Sequence, residues 1–324
     1  MSKIGKTFID GIDLYSSFGV FVTESGHNGL VNYPPIKNLE SVNDWPERDG
    51  IEVDSSEIRL NTKEFDIAFG ATGNYKIGGF LDIISDGAYH VFDFKEAGRS
   101  FTLRLTSQVN KALYIGAESF SLKFSDDFPL AGYEYQEPQS STVNQKGYEI
   151  DAVPFSKYGI VVCEGSDAQI MKSPPVKKNL LRNIPSEDGV LYDGEKVVFQ
   201  QKEVNINCCL IAKDLQEFWR NYYAFLYDLI RPVEITEDSI TRISKERNFY
   251  FDRNGEEYPC YYKSNKVSKF LPADGDVWCE FVLSLVFTSF RVGKDEYLLA
   301  GEDGELIISE DGEYFFDMQY YGNS

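Results

Sequence analysis

The chain is short of the residues that most reactions and metal sites require. It has two histidines, His27 and His90, and they form neither a His-x-His nor a His-x-x-x-His pair. There is no G-x-S-x-G elbow, no G-x-x-x-x-G-K-[ST] loop and no G-x-G-x-x-G opening a helix, so no motif activates a serine or cradles a phosphate. The five cysteines (Cys163, Cys208, Cys209, Cys260 and Cys279) all lie in the second half. An odd count without a C-x-x-C spacing argues against a disulfide framework or a zinc site and reads as free thiols in a reducing compartment. Basic residues are also scarce. With 32 Lys and Arg against 52 Asp and Glu, the net charge of −20 opposes a phosphate backbone, and the basic clusters are short, as at Lys177-Lys178. No apolar run reaches the roughly 18 residues of a membrane-spanning helix, and Met1 to Lys6 leads into polar sequence rather than the apolar stretch of a signal peptide.

The acidic residues select no site either. Asp303-Gly304 and Asp311-Gly312 lack the D-x-D-x-D ladder and terminal bidentate Glu of a calcium loop, and read as turns. A glycosidase needs two carboxylates held across a cleft, and with 52 acids a pair can always be nominated. The expectation is therefore no catalytic residue, no cofactor and no metal site, and a protein that is not an enzyme.

What the chain has in quantity is aromatic residues, 21 Tyr and 24 Phe, which favour strands. It also repeats itself. The run Ile9-Asp10-Gly11-Ile12-Asp13-Leu14-Tyr15-Ser16-Ser17-Phe18-Gly19-Val20 returns as Ile150-Asp151-Ala152-Val153-Pro154-Phe155-Ser156-Lys157-Tyr158-Gly159-Ile160. Tyr33-Pro34-Pro35-Ile36-Lys37 returns as Ser173-Pro174-Pro175-Val176-Lys177, and Arg48-Asp49-Gly50-Ile51 as Glu187-Asp188-Gly189-Val190. Phe65-Asp66-Ile67 is matched by Val204-Asn205-Ile206, so Gly19 and Pro34 recur 140 residues on, Gly50 and Ile67 139. Four landmarks on nearly one offset indicate a tandem duplication within a length sufficient for two cores.

Along each copy the pattern predicts strands, one helix, then strands. Thr7 to Thr23 reads as strand, turn and strand, broken at Ser16-Ser17. Pro34-Pro35 fixes an extended path without two donors, suited to an edge or a crossing loop. Glu57 to Phe69 reads as two strands around Asn61-Thr62-Lys63. In the second copy Asp214-Leu215-Gln216-Glu217 is a capping box, and Leu215, Phe218, Trp219, Tyr222, Leu226, Leu229 and Ile230 follow at helical spacing to Arg231-Pro232. Its first-copy counterpart is Gly73 to Ser85, where Gly78-Gly79 weakens a helix by about 1 kcal/mol each. The copies close on strands at His90–Phe94, Phe101–Thr106, Ala112–Ile115 and Phe120–Phe124, then at Phe249–Phe251, Tyr258–Lys263, Val267–Phe270 and Trp278–Phe287. Gln136 to Gly147 is a polar linker. Leu298 to Phe316 holds Glu-Asp-Gly twice and predicts hairpins.

Phe8-Ile9-Asp10-Gly11-Ile12-Asp13-Leu14 with Phe18-Gly19-Val20, followed by the Pro-Pro step and a strand pair, resembles the opening of bacteriophage distal tail and baseplate hub proteins. The Glu-Asp-Gly segments are similar to those on prophage tail proteins. The resemblance implies a β-barrel with a docked helix in each unit, and units assembled as a ring around a tail channel. A typical distal tail protein carries one ring-forming domain before a lectin-like one, and six copies close the ring. The duplication here is instead similar to the tandem arrangement of trimeric hubs, in which three chains of two units make a pseudo-sixfold ring.

The combined expectation is a mainly β fold with minor α: two tandem related β-barrel-like domains at 1–135 and 148–292, each with one docked helix. A linker at 136–147 joins them, and a C-terminal β-hairpin extension covers 293–324. The expected role is a structural component of a phage or prophage tail tip or baseplate, an oligomeric ring or adaptor assembled in the bacterial cytoplasm and carried in the virion tail. The expected partners are other copies of the chain, as trimer or hexamer, and other tail proteins, with no sequence-specific nucleic-acid binding and no membrane insertion. The alternative is a carbohydrate- or receptor-binding module, which would show a shallow groove lined with exposed Trp and Tyr. A cleft enzyme would show a convergent acid pair with a raised pKa.

Overall fold

The duplicated Ile-Asp step makes one turn twice. Asp10 and Asp151 both stand at φ 47°, in the left-handed region that Asp tolerates better than most residues. The Asp10 N–H donates to the Val91 carbonyl and the Asp151 N–H to that of Asn248, each at 2.9 Å. Each carboxylate returns the bond, accepting from the Val91 or Asn248 N–H at 2.9 Å. The second carboxylate oxygen then takes the residue before: His90 Nδ1 at 2.6 Å in the first copy, an Arg247 guanidinium N–H at 2.9 Å in the second. One aspartate thus ties a strand-end turn to the neighbouring strand by both backbone and side chain.

The repeated aromatic-Gly step is equally a backbone requirement. Gly19 and Gly159 have φ of 69° and 73°, and their carbonyls accept from the Thr72 and Ile211 N–H groups at 3.1 and 2.8 Å. A Cβ would lie 2.9 Å from the Thr72 oxygen or 2.6 Å from that of Ile211, so only glycine fits.

These turns open two sheets of the same design. The structure is a computed structural model that describes residues 3–23, 26–46, 48–114, 117–177, 181–192, 197–237, 240–272 and 275–288, within the unit Met1–Ser289. The expected hairpin extension at 293–324 lies outside the described residues. The first sheet contains β1 (Thr7–Ile9), β2 (Ile12–Asp13), β3 (Val20–Val22), β4 (Lys63–Thr72), β5 (His90–Phe94), β6 (Arg99–Tyr114) and β7 (Ala117–Asp126). The second contains β8 (Tyr148–Ile150), β9 (Val153–Pro154), β10 (Ile160–Val162), β11 (Lys202–Ala212), β12 (Arg247–Phe251), β13 (Glu256–Pro272) and β14 (Val277–Phe287). The strand orders are β2-β1-β5-β6-β7-β4-β3 and β9-β8-β12-β13-β14-β11-β10, so each strand of one sheet has its counterpart in the same place in the other.

Both sheets curl in the same way. The first five residues of β6 pair with β5 and the rest with β7, and the change-over carries a bulge between Leu105 and Ser107. In β13 the equivalent bulge lies between Tyr262 and Ser264. Bulges bend and twist the strand that holds them, which turns each sheet into an open half-barrel. They also explain a difference from the sequence pattern. Phe101–Thr106 and the described part of Ala112–Ile115, to Tyr114, belong to one strand, as do Tyr258–Lys263 and Val267–Phe270, because the bulges absorb the break in alternation.

One helix fills the concave side of each sheet. In the first copy α2 (Ile77–Ile84) forms despite Gly78-Gly79 and buries Phe80 against Phe69 and Phe120. In the second, α4 (Leu215–Ile230) is twice as long, and Asp214 Oδ1 caps it by accepting from the Glu217 N–H at 2.7 Å. Its Phe218, Tyr222, Phe225 and Leu229 are buried, at roughly 1.5–3 kcal/mol for a side chain of that size. Short helices α1 (Leu14–Phe18) and α3 (Ser166–Met171) lie outside the sheets. The Ser16-Ser17 break is α1 rather than a turn, because the Asp13 carboxylate accepts from the Tyr15 and Ser16 N–H groups. Before Thr62 the expected strand reduces to a single bridge, Ile36 to Leu60.

Residues 136–147, expected as a linker, have no regular structure, and this stretch and Tyr135 before it are held along α4. Asn221 accepts from the Gln139 N–H and donates to its carbonyl, while Asp228 accepts from the Tyr135 and Tyr158 hydroxyls. Burial beside that carboxylate pushes the Tyr135 hydroxyl up to about 12. At equivalent places Lys63 and Lys202 are buried and donate to the Leu30 and Ile170 carbonyls. Desolvation brings both ammonium groups down to about 8.

His90 makes the first Asp clamp pH-dependent. Burial disfavours its charge, but the hydrogen bonds to Asp10 and Asp86 outweigh this and raise its pKa. Its contribution is fully present below the unfolded pKa of about 6.5 and is lost as pH rises through the folded value. We expect His90→Gln to be less stable than the parent by roughly 1 kcal/mol or less near pH 5.5, with the deficit shrinking as pH rises past the ordinary histidine value of about 6.5 and through the raised folded one. Urea unfolding of the two chains at both pH values measures it. His27, whose pKa burial lowers, has the opposite slope and cancels because both chains keep it.

Candidate assembly interface

A long strand beside a short one leaves part of its edge without a partner. In the second sheet β12 covers only Glu256–Cys260 of β13. The first copy supplies what is missing. The Ile36 N–H donates to the Lys263 carbonyl at 3.0 Å, the Val267 N–H to Asn32 Oδ1 at 2.8 Å and the Phe270 N–H to Asn28 Oδ1 at 3.0 Å. Asn28 Nδ2 returns a bond to the Ser268 carbonyl, and the Tyr33 N–H meets Asn265 Oδ1 at 2.5 Å. Side-chain amides substitute for a ladder here, because Pro34 and Pro35 carry no N–H. The Pro-Pro step, expected at an edge or crossing, thus lies along an edge of the other copy's sheet.

Tyr33 anchors this crossing. Its ring lies 4.4 Å from that of Tyr222 and about 6.3 Å from that of Phe281, and its hydroxyl donates to the Tyr222 carbonyl at 2.9 Å. The Tyr222 hydroxyl donates back to the Asn32 carbonyl at 3.0 Å. Burial holds both hydroxyls protonated, well above the ordinary tyrosine value.

The second contact is a lysine in a carbonyl cage. Lys177 Nζ, from the second copy, donates to the carbonyls of Trp45, Arg48 and Gly50 at 2.8, 2.7 and 2.8 Å and pairs with Asp44 at 2.5 Å. The Phe199 N–H donates to Asp49 Oδ1, and the Gly50 N–H to the Phe199 carbonyl. This cage is the tip of a small hairpin, Val42–Asn43 against Glu52–Val53. Ile36, Leu39 and Val53 then pack on a buried cluster of Ile58, Tyr261 and Val286.

The same elements in the second copy are open. Where Ile58 is 2% exposed its counterpart Val197 is 50% exposed, and the counterparts of Ile36 and Ile51, Val176 and Val190, are 44% and 54% exposed. Leu191 beside them is 55% exposed. An apolar patch used once within the chain is presented a second time to solvent.

Other candidate chemistry does not converge. Among the described residues no three His, Cys, Asp or Glu side chains are placed to hold a metal. Cys163 is exposed, and Cys208, Cys209, Cys260 and Cys279 are buried free thiols raised by desolvation. A cleft of about 890 Å³ between β6 and α4 includes Arg99, Trp219 and Tyr223. Its aromatic faces are already engaged: Arg99 lies 5.2 Å from the Trp219 ring and 4.2 Å from that of Tyr223, and Trp219 Nε1 donates to the Ala97 carbonyl. Trp45 and Trp278 are the more exposed tryptophans and lie elsewhere. No site residue is evident from the sequence, where Lys177 stands only as part of a short basic cluster. The signal available was a lysine after Pro-Pro in both copies.

No protein-family model matches the chain, and no curated protein matches it. Among solved structures it is similar to the Dit protein of phage SPP1, described as a paradigm of hub adsorption apparatus in phages infecting Gram-positive bacteria. That alignment covers 87% of this chain and 98% of the other, at 11% identity and a TM-score of 0.30. At that level the likeness assigns neither partner nor activity.

Removing the caged ammonium leaves the Arg48 and Gly50 carbonyls and the Asp44 carboxylate without this donor, and the Trp45 carbonyl with only the bond from the Arg48 N–H. We expect Lys177→Met to cost about 2 kcal/mol or more and to expose the loop at residues 44–50 to protease. Denaturant unfolding with limited proteolysis checks both.

Proposed function

We propose that this protein is a structural component of a phage or prophage tail tip or baseplate, where several copies form a ring or adaptor around the tail channel. The observation that supports it is the duplicated unit. One copy-to-copy junction is made inside the chain, and the surface that makes it is displayed again, uncovered, on the second copy. A unit with complementary front and back faces generates head-to-tail contacts, which close into a ring when the rotation allows. In this reading residues 1–135 and 148–292 are the ring-forming domains, 136–147 is the linker between them, and 293–324 is a hairpin extension.

The opening motif supports the same reading through its likeness to distal tail and baseplate hub proteins. The charge is compatible: an acidic wall of −20 per chain repels DNA, so a genome passes without being held. The working parts are strand edges and loops rather than a catalytic pocket, the partners are further copies and adjoining tail proteins, and the site of action is the virion tail after assembly in the bacterial cytoplasm.

Light scattering behind a sizing column, over a wide concentration range, tests this. The expected result is one discrete mass of three or six chains. A mass of one chain at every concentration would contradict it.

A further inference from the structure

Lys37 is the counterpart of Lys177, and the two are used differently. Both follow the Pro-Pro step, and both sit in the same backbone bridge: the Lys37 N–H donates to the Arg59 carbonyl and the Lys177 N–H to that of Val198, each at 2.8 Å. Lys177 is buried in its cage, whereas Lys37 is exposed and, among the described residues, engages no acceptor.

A matching cage exists in the second copy. Asp44-Trp45-Pro46-Glu47-Arg48-Asp49-Gly50-Ile51 aligns with Asn183-Ile184-Pro185-Ser186-Glu187-Asp188-Gly189-Val190. The second loop also tips a small hairpin, Leu181–Arg182 against Leu191–Tyr192. Its turn is the same: the Glu187 N–H donates to the Ile184 carbonyl at 3.0 Å as the Arg48 N–H does to that of Trp45 at 3.3 Å, and Gly50 and Gly189 are both left-handed, at 68° and 86°. In the first loop a lysine occupies the centre. In the second the centre is a cavity of about 40 Å³ bounded by Ile184, Glu187, Gly189 and their neighbours, room for one ammonium group.

We propose that Lys37 of a second copy of this chain occupies that cavity, donating to the Ile184, Glu187 and Gly189 carbonyls as Lys177 does to Trp45, Arg48 and Gly50 within the chain. The contact rests on the ring reading above and names its partner surfaces. It brings the second copy of one chain onto the first copy of the next. The same docking sets the Val176 N–H, counterpart of Ile36, against the carbonyl of Thr106, the bulge residue equivalent to Lys263. It also covers the exposed patch of Val176, Val190 and Val197. Both faces differ from those of the within-chain junction: where the second sheet shows Tyr261 and Val286, the first shows Arg104 and Ser125, both bonded to Asp127, and the docking residues Asn28, Asn32 and Tyr33 are replaced by Ala168, Lys172 and Ser173. The contact between chains is therefore more polar than the one within the chain, and more sensitive to salt.

The test uses the full chain. Light scattering against concentration gives the assembly midpoint, which Lys37→Met is expected to raise about tenfold or more, with no fall in the melting temperature of the dissociated chain at concentrations below that midpoint, since among the described residues the Lys37 ammonium holds nothing within the chain. In parallel, two Cys163→Ser chains that both keep Lys37, one with Asn38→Cys beside it and the other with Glu187→Cys, are mixed with a short bis-maleimide. A heterodimer that forms in the mixture and in neither chain alone supports the contact. If the parent assembles but its midpoint ignores Lys37→Met, or the mixture yields no heterodimer, the contact is overturned and the ring reading stands. A parent that stays monomeric at every concentration overturns the ring reading and the contact together.

Discussion

The constraint on which this architecture depends is the unequal length of adjacent strands. β13 runs for 17 residues and β12 for five, so most of one edge of a central strand is left with N–H and C=O groups facing outward. Buried backbone groups without partners are costly, and an open edge invites other chains. The structure answers by laying the segment from Asn28 to Ile36 across that edge. Much follows from this. The crossing brings Tyr33 into the core under α4, sets the hairpin of residues 42–53 within reach of Lys177, and joins two half-barrels that neither sheet order nor linker would otherwise hold together. β6 has the same geometry, and the chain supplies no counterpart of Ile36 to it among the described residues. The molecule is thus one junction complete and one junction open.

Much of the fold was legible in the sequence because the duplication is written in residues that the backbone demands. Asp10 and Asp151 hold a left-handed turn and clamp the next strand; Gly19 and Gly159 occupy sites where a Cβ meets a carbonyl oxygen. The Pro-Pro and Asp-Gly pairs fix the crossing and the cage loop. Such positions keep their identity while apolar ones drift, as Phe65 against Val204 shows. α4 was legible through its cap and stripe. Strand continuity was not, since a bulge at Leu105 or Tyr262 breaks the alternation on which strand reading relies.

The interface was legible only as an unexplained echo. Lys37 and Lys177 occupy the same motif, and nothing local separates them. Whether each is caged is decided by a hairpin more than a hundred residues away in sequence, or in a different chain. The aromatic cleft between β6 and α4 illustrates the converse. Composition suggested a platform for sugars, yet stacking by Arg99 and the indole bond to Ala97 are tertiary facts that no spacing encodes.

The central claim is that the junction inside the chain is the template for the junction between chains. The direct test is electron cryo-microscopy of the assembled particle. The account predicts a ring with twice as many half-barrels as chains, in which the between-chain contact superposes on the within-chain one and a lysine fills both cages. Chains meeting first copy to first copy across a two-fold axis, with the Asn183–Val190 loop open to solvent, would contradict it.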